Sequence, residues 1–157
     1  MPRTQMTATR PAELTLRLIP RLTRWAQSRV VAEDSGRDLS LRQLSALQMI
    51  EDETTTLGDV ARRLMVTPAV VTGLIDRLEK RGYVRRINSI GDRRRVNLAL
   101  TDAGRAAGEA AEQRLIDEVS AKMAHFSAEE METLERGLIL LDGVVRELES
   151  ERTATRR

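Results

Sequence analysis

Two stretches of this chain carry side chains whose types and spacing suit them to gripping a polyanion. In the first, Thr67, Pro68, Ala69 and Thr72 offer small and hydroxyl-bearing surface, and Arg77 follows as a long donor. In the second, Asn88-Ser89-Ile90-Gly91-Asp92-Arg93-Arg94 is polar and turn-forming, and Arg95 extends its basic run. Small groups and hydroxyls can meet base edges in a nucleic-acid groove, whereas guanidinium groups hydrogen-bond guanine or phosphate. Residues 77–99 carry a net charge of +6 in a chain whose formal net charge is only +2. Residues 41–76 carry −2 and residues 100–157 carry −5. A focused basic patch draws a polyanion without making the whole surface adhesive.

Other chemistries are poorly provided for. There is no cysteine, which excludes disulfides, thiolate metal sites and thiol-based oxidant sensing. His125 is the single histidine, too little for an all-protein zinc site. No nucleophile–base constellation and no phosphate-cradling glycine loop stands out. The expectation is therefore no enzyme, no catalytic residues, no cofactor and no metal. No apolar run approaches the length of a membrane span, and the N-terminus lacks the apolar stretch of a secretory signal. A cytoplasmic protein without a membrane partner is expected. The composition, 41% hydrophobic and 32% charged, suits a folded soluble chain. Trp25, Tyr83 and Phe126 are the only aromatic residues, so its core must be largely aliphatic.

Positioning the two stretches falls to helices and a hairpin. Residues 1–10 lack periodicity and read as a frayed arm. Leu14, Leu18, Leu22 and Trp25 then mark one helical face, which Pro20 either starts or kinks, and Gly36 is a plausible terminator. Ser40 and Gln43 stand at capping-box spacing before Leu41, Leu44, Leu47 and Ile50. Thr56 and Asp59 open a short helix with Leu57, Val60, Ala61 and Leu64 inward. Met65-Val66-Thr67 is a tight connection, and Thr67 caps a helix beginning at Pro68. Val71, Leu74, Ile75 and Leu78 form its inner stripe, and Arg81-Gly82 ends it. The period then falls to two, giving a hairpin over about 84–99 with a basic tip. Thr101 caps a long helix over 102–123, with Ala103, Ala107, Ala111, Leu115, Val119 and Met123 on one face. Ser127 and Glu130 cap a last helix striped by Leu134, Leu138, Leu141, Val145 and Leu148.

Two short helices joined by a tight turn and followed by a basic hairpin can dock on duplex DNA. The second helix, 68–81, enters the major groove, and amide groups at Thr67–Ala69 can meet a phosphate. Pro68 or Ala69 is placed for thymine methyls, Thr72 for a hydrogen bond, and Arg77 for guanine or phosphate. Asp76 also faces outward, where it can orient Arg77 or another arginine. The hairpin arginines can reach phosphates or the minor groove. The two long apolar-striped helices flank a domain that has its own core, so their stripes need a further surface, such as a second copy.

The stretches LSLRQLSALQMI (39–50), TLGDVARRLMVTPAVVTGLIDRLEKRGYVRR (56–86) and GDRRRVNLALTDAG (91–104) resemble the MarR family of winged-helix regulators. The similarity runs over about residues 14–149. It implies a mainly α fold with a small β wing. A winged helix-turn-helix occupies 39–102, and helices at 11–38 and 103–149 form a dimerisation region.

The resemblance further implies a homodimer on a pseudo-palindromic operator. Thr67, Pro68, Ala69, Thr72 and Arg77 become the major-groove readers, with Arg62, Arg63 and Arg86 clamping phosphates. In the wing, Asp92 orients an arginine and Arg94 enters the minor groove, with Arg93 as a second choice. Many members bind a small aromatic or phenolic compound between the dimer and winged regions, and DNA affinity falls. Leu18, Leu22, Trp25, Leu47, Leu64 and Leu115 are the wall candidates, although a lone Trp in a helix stripe such as Trp25 is more often core, and His125, near a helix junction, reads as structural or surface. The function so implied is a ligand-relieved repressor. A ligand-independent regulator or activator, and a protein-binding winged helix, remain alternatives.

Overall fold

The computed structural model describes residues 7–31, 39–50, 52–89 and 92–154, so the expected break around Gly36 lies outside the described residues. The elements are α1 (Thr9–Val31), α2 (Leu41–Gln48), α3 (Leu57–Leu64), α4 (Pro68–Lys80), β1 (Val84–Ser89), β2 (Asp92–Leu100), α5 (Asp102–Met123) and α6 (Ala128–Ala154). This is the mainly helical, two-stranded winged architecture expected. Contacts divide it into two compact units, Met1–Ile116 and Asp117–Arg157, with the division falling inside α5.

Three helix starts are set by reciprocal local hydrogen bonds. The Ser40 hydroxyl accepts from the Gln43 amide at 3.2 Å while the Ser40 amide donates to Gln43 Oε1 at 2.8 Å. Thr56 and Asp59 repeat the device at 3.2 and 3.0 Å, and Ser127 and Glu130 at 3.2 and 2.8 Å. Each box satisfies amides that a helix end leaves without partners. Two expectations change. Thr67 holds the capping position ahead of Pro68, but its side chain makes no capping bond. Thr9 and Arg10, expected in the frayed arm, already belong to α1. The helix also runs through Pro20 and neither starts nor stops there.

In the first unit α2, α3 and α4 enclose an aliphatic core with the wing root. Leu44, Leu47, Ile50, Val60, Val71, Leu74, Ile75, Leu78, Val84 and Leu98 are all buried in one cluster. The hairpin is antiparallel, with Val84 opposite Leu100 and Arg86 opposite Leu98, and its register shifts between Asn88 and Ser89. A further tie holds it to the helices: the Leu98 amide donates to Thr55 O at 2.7 Å, and Thr56 bridges to Asn97.

The junction of α4, β1 and α5 is closely packed. Gly82 takes φ +73°. Its amide donates to Glu79 O at 2.8 Å and the Tyr83 amide to Leu78 O at 2.9 Å, closing α4 with a left-handed cap that glycine adopts without strain. The Thr101 hydroxyl donates to Gly82 O at 2.6 Å and accepts from the Gly104 amide at 3.0 Å. Gly104 packs so closely on this turn that a Cβ there would lie 2.0 Å from Tyr83 O. The α5 stripe accordingly differs from expectation. Ala103 is exposed, and Gly104, Gly108 and Ala111 supply the buried face.

In the second unit Leu134 and Leu141 are half-buried, but Leu138, Ile139, Leu140, Val144, Val145 and Leu148 are exposed. Exposed apolar positions therefore extend well beyond the expected stripe. His125 packs edge-on against Phe126, with ring centroids 4.7 Å apart.

Candidate nucleic-acid interface

The outer face of α4 is built from the positions that the core leaves over. With Val71, Leu74, Ile75 and Leu78 turned inward, Thr67, Pro68, Ala69, Thr72, Arg77 and Lys80 are exposed. These include all five expected groove readers. The Thr72 hydroxyl donates to Pro68 O at 2.9 Å, which leaves its oxygen lone pairs outward as acceptors. Arg77 Nε donates to Gly73 O at 3.0 Å, so this side chain lies back along the helix. Sequence reasoning missed Val70 and Met65, which are 41% and 70% exposed around the same helix start. Val70 lies just off the Val71–Leu74–Leu78 stripe, a visible signal. Met65 adopts φ 56°, ψ 39°, a left-handed turn unusual for a residue with a side chain, and nothing in its sequence announces it.

Helix α3 contributes basic groups beside the turn. Arg62 is exposed and pairs with Asp59 at 3.0 Å. Arg63, also exposed, donates to Met49 O at 3.3 Å. Asp59 has its pKa lowered, chiefly by the Thr56 hydroxyl, then by the Thr56 amide and Arg62. Its negative charge belongs to the helix cap rather than to any groove contact.

The wing root bears on two expectations. Asp76 does orient an arginine, and the partner is Arg86 rather than Arg77. Arg86 Nη2 lies 2.6 Å from Asp76 Oδ1, and Nη1 donates to Glu79 Oε2. The Arg86 pKa is raised, first by the hydrogen bond it donates to Asp76. Arg86 was expected to clamp phosphate; here both terminal nitrogens are turned onto α4, which links β1 to that helix. Arg85, on the other side of the strand, pairs with Glu53 at 2.6 Å. Arg81 lies over the Tyr83 ring, 4.8 Å from its centroid. At the tip, the backbone of Asp92, Arg93 and Arg94 belongs to β2, but their side chains lie outside the described residues.

The six expected ligand-wall residues do not form a uniform set. Leu47 is buried in the winged-helix core, where its Cδ1 comes within 3.8 Å of a Cβ built on Gly108, so it has no face to offer a ligand. Leu64 and Leu115 pack partly buried against the same core. Leu18 and Leu22 are exposed on α1, and Trp25 is half-buried.

Comparison with known proteins agrees with this geometry. A model of the MarR family matches residues 37–95. The chain is similar to the uncharacterized HTH-type transcriptional regulator YfiV of Bacillus subtilis, 28% identical over 122 residues that cover 77% of this chain and 76% of that protein. It is also similar to the HTH-type transcriptional repressor YetL of the same organism, 32% identical over 99 residues, covering 61% of this chain and 59% of YetL. Among solved structures, a cysteine-to-serine mutant of MarR from E. coli matches with a TM-score of 0.66 at 27% identity, over 82% of this chain and 94% of the other. Its winged helix, its element order and these relatives support a likeness to the MarR family of winged-helix transcriptional regulators.

Proposed function

We propose that the chain acts in the cytoplasm as a homodimer on a pseudo-palindromic operator in double-stranded DNA, repressing transcription until a small aromatic or phenolic compound binds. The observation that carries the reading is the outer face of α4. It is narrow and small at Pro68, Ala69 and Thr72, basic at Arg77 and Lys80, and braced on the wing root through Asp76. A surface of that shape suits the major groove, with Arg93 and Arg94 of the wing placed in sequence for phosphates or the minor groove. The repressor assignment draws on the likeness to YetL. The dimer draws on the apolar surface of α6 and on Leu14, Leu16, Leu18, Ile19 and Leu22, all exposed on α1. Faces of that kind need cover. The effector reading retains Leu18, Leu22, Trp25, Leu64 and Leu115 as wall residues and omits Leu47.

The test is selection of duplexes from a random-sequence pool, followed by binding measurements across salt concentrations. A palindromic consensus, nanomolar affinity and a steep fall with salt are expected. Arg94→Ala should weaken binding and leave the oligomeric state unchanged. Absence of any salt-dependent association with duplex would favour a protein-binding module. Adding phenolic compounds to the complex then separates a ligand-relieved repressor, which dissociates, from a ligand-independent regulator.

A further inference from the structure

We infer that Gly73 is a specificity-determining position. It is the seat on which Arg77 is folded so that its guanidinium meets a guanine end-on in the major groove. The inference rests on the duplex-DNA reading above and names which side chain of α4 reads a base and what holds it there.

At the helical repeat, Ala69, Gly73, Asp76 and Lys80 fall along one strip opposite the buried Val71, Leu74, Ile75 and Leu78. Gly73 is thus near the middle of the outward face, where a groove-reading helix ordinarily needs a side chain. Neither the fold nor the backbone asks for glycine there. Its φ is not in the left-handed region, and a Cβ would meet only Arg77 Nη2, at an ordinary van der Waals distance of 3.9 Å. Glycine also weakens a helix interior relative to alanine.

What occupies the vacant place is Arg77. Its Nε donates to Gly73 O at 3.0 Å, which draws the guanidinium back over the bare backbone. Asp76, the nearest carboxylate in sequence, is already held by Arg86 at 2.6 Å and does not pull Arg77 aside. With Nε engaged, the free donors of Arg77 are its two terminal amino groups. They form an end-on fork that matches O6 and N7 of guanine. A phosphate would need no such fixed orientation, because it accepts donors from many directions. A fork fixed before binding gives up less freedom on contact. A long side chain at position 73 would fill the seat and turn Arg77 out.

The experiment uses the full chain and a duplex that it selects from a random-sequence pool, with single G·C-to-A·T exchanges and a scrambled duplex as controls. Gly73→Ala should keep the sequence preference and melt at higher temperature. Gly73→Gln and Arg77→Ala should each lose about tenfold to a hundredfold discrimination at one G·C pair per half-site. Melting should show both variants folded, and Gly73→Gln should bind the scrambled duplex with unchanged salt dependence. The double variant should lose no more discrimination than Arg77→Ala alone, because both changes remove one interaction. Full discrimination in Gly73→Gln, or additive losses in the double variant, overturns the inference. Failure of the unaltered protein to select any duplex overturns the DNA reading itself, a separate and distinguishable result.

Discussion

Arg86 donates to Asp76 at 2.6 Å, joining the first wing strand to the outward edge of α4. The same guanidinium reaches Glu79 one turn further along α4. A planar guanidinium places one terminal nitrogen on each of these two carboxylates, whereas a compact ammonium has no such fixed fork. The link also offsets the negative charge of two carboxylates on α4, the helix of the proposed DNA contact. The angle between wing and helix is therefore held by a polar link as well as by the buried Val84 and Leu98.

This link makes a prediction for Arg86→Lys and Arg86→Ala. The groups are partly exposed, so the loss in stability should be modest, about 0.5–1 kcal/mol, read by thermal or denaturant unfolding. DNA affinity should weaken because the wing root loosens, yet its slope against salt should stay constant. A slope reduced by about one unit would place Arg86 on a phosphate instead of on α4.

Gly104→Ala should be far more costly than its size suggests. A methyl group there would collide with Tyr83 O at 2.0 Å, and that atom belongs to the backbone of the turn closing α4. Either the start of α5 or this turn must move, against the bonds Thr101 makes to Gly82 and Gly104. Overpacking of this kind costs about 1–3 kcal/mol, occasionally more. Chemical denaturation measures it. A variant as stable as the parent would mean that α5 does not start against Tyr83.

The Thr56–Asp59 box predicts an acid-sensitive helix start. Asp59 has its pKa lowered from the ordinary 3.8, so the folded state favours its ionised form. The stabilisation is fully present above that value and fades as pH falls below it through the depressed folded pKa. Stability should thus drop with acidification in this window. Asp59→Asn should remove part of that slope while lowering stability at neutral pH by about 1 kcal/mol. Unfolding measured between neutral pH and pH 2 decides it. An unchanged acid limb would detach Asp59 from the effect.

How far these features were legible in the sequence follows from how local they are. The boxes at Ser40, Thr56 and Ser127 are three-residue patterns whose partners the chain itself brings together, so spacing sufficed to read them. The inner stripe of α4 and the hairpin period were equally accessible. Gly104 and Arg86 were not. Gly104 is a glycine because of Tyr83, far away in sequence, and helical periodicity pointed instead to Ala103. Arg86 carries the same positive charge as its neighbours in a basic run, and only the register of β1 on α4 turns it onto Asp76 and Glu79. Leu47 shows the converse ambiguity: a leucine on an amphipathic face reads as core or as ligand wall, and here it is buried in the core.

The last prediction concerns α6. Leu140 and Ile139 are 74% and 64% exposed, and with Leu138, Val144 and Leu148 they spread over much of the helix circumference. A helix apolar on so many sides is normally buried by more than one neighbour. In the proposed homodimer a second copy supplies that cover. Leu140→Glu combined with Ile139→Lys should therefore shift the protein from dimer to monomer in analytical ultracentrifugation. The melting transition should become independent of concentration, since mass action no longer links folding to association. Operator affinity should fall by orders of magnitude, because a single winged helix engages only one half-site. A substituted chain that still sediments as a dimer would remove α6 from the interface.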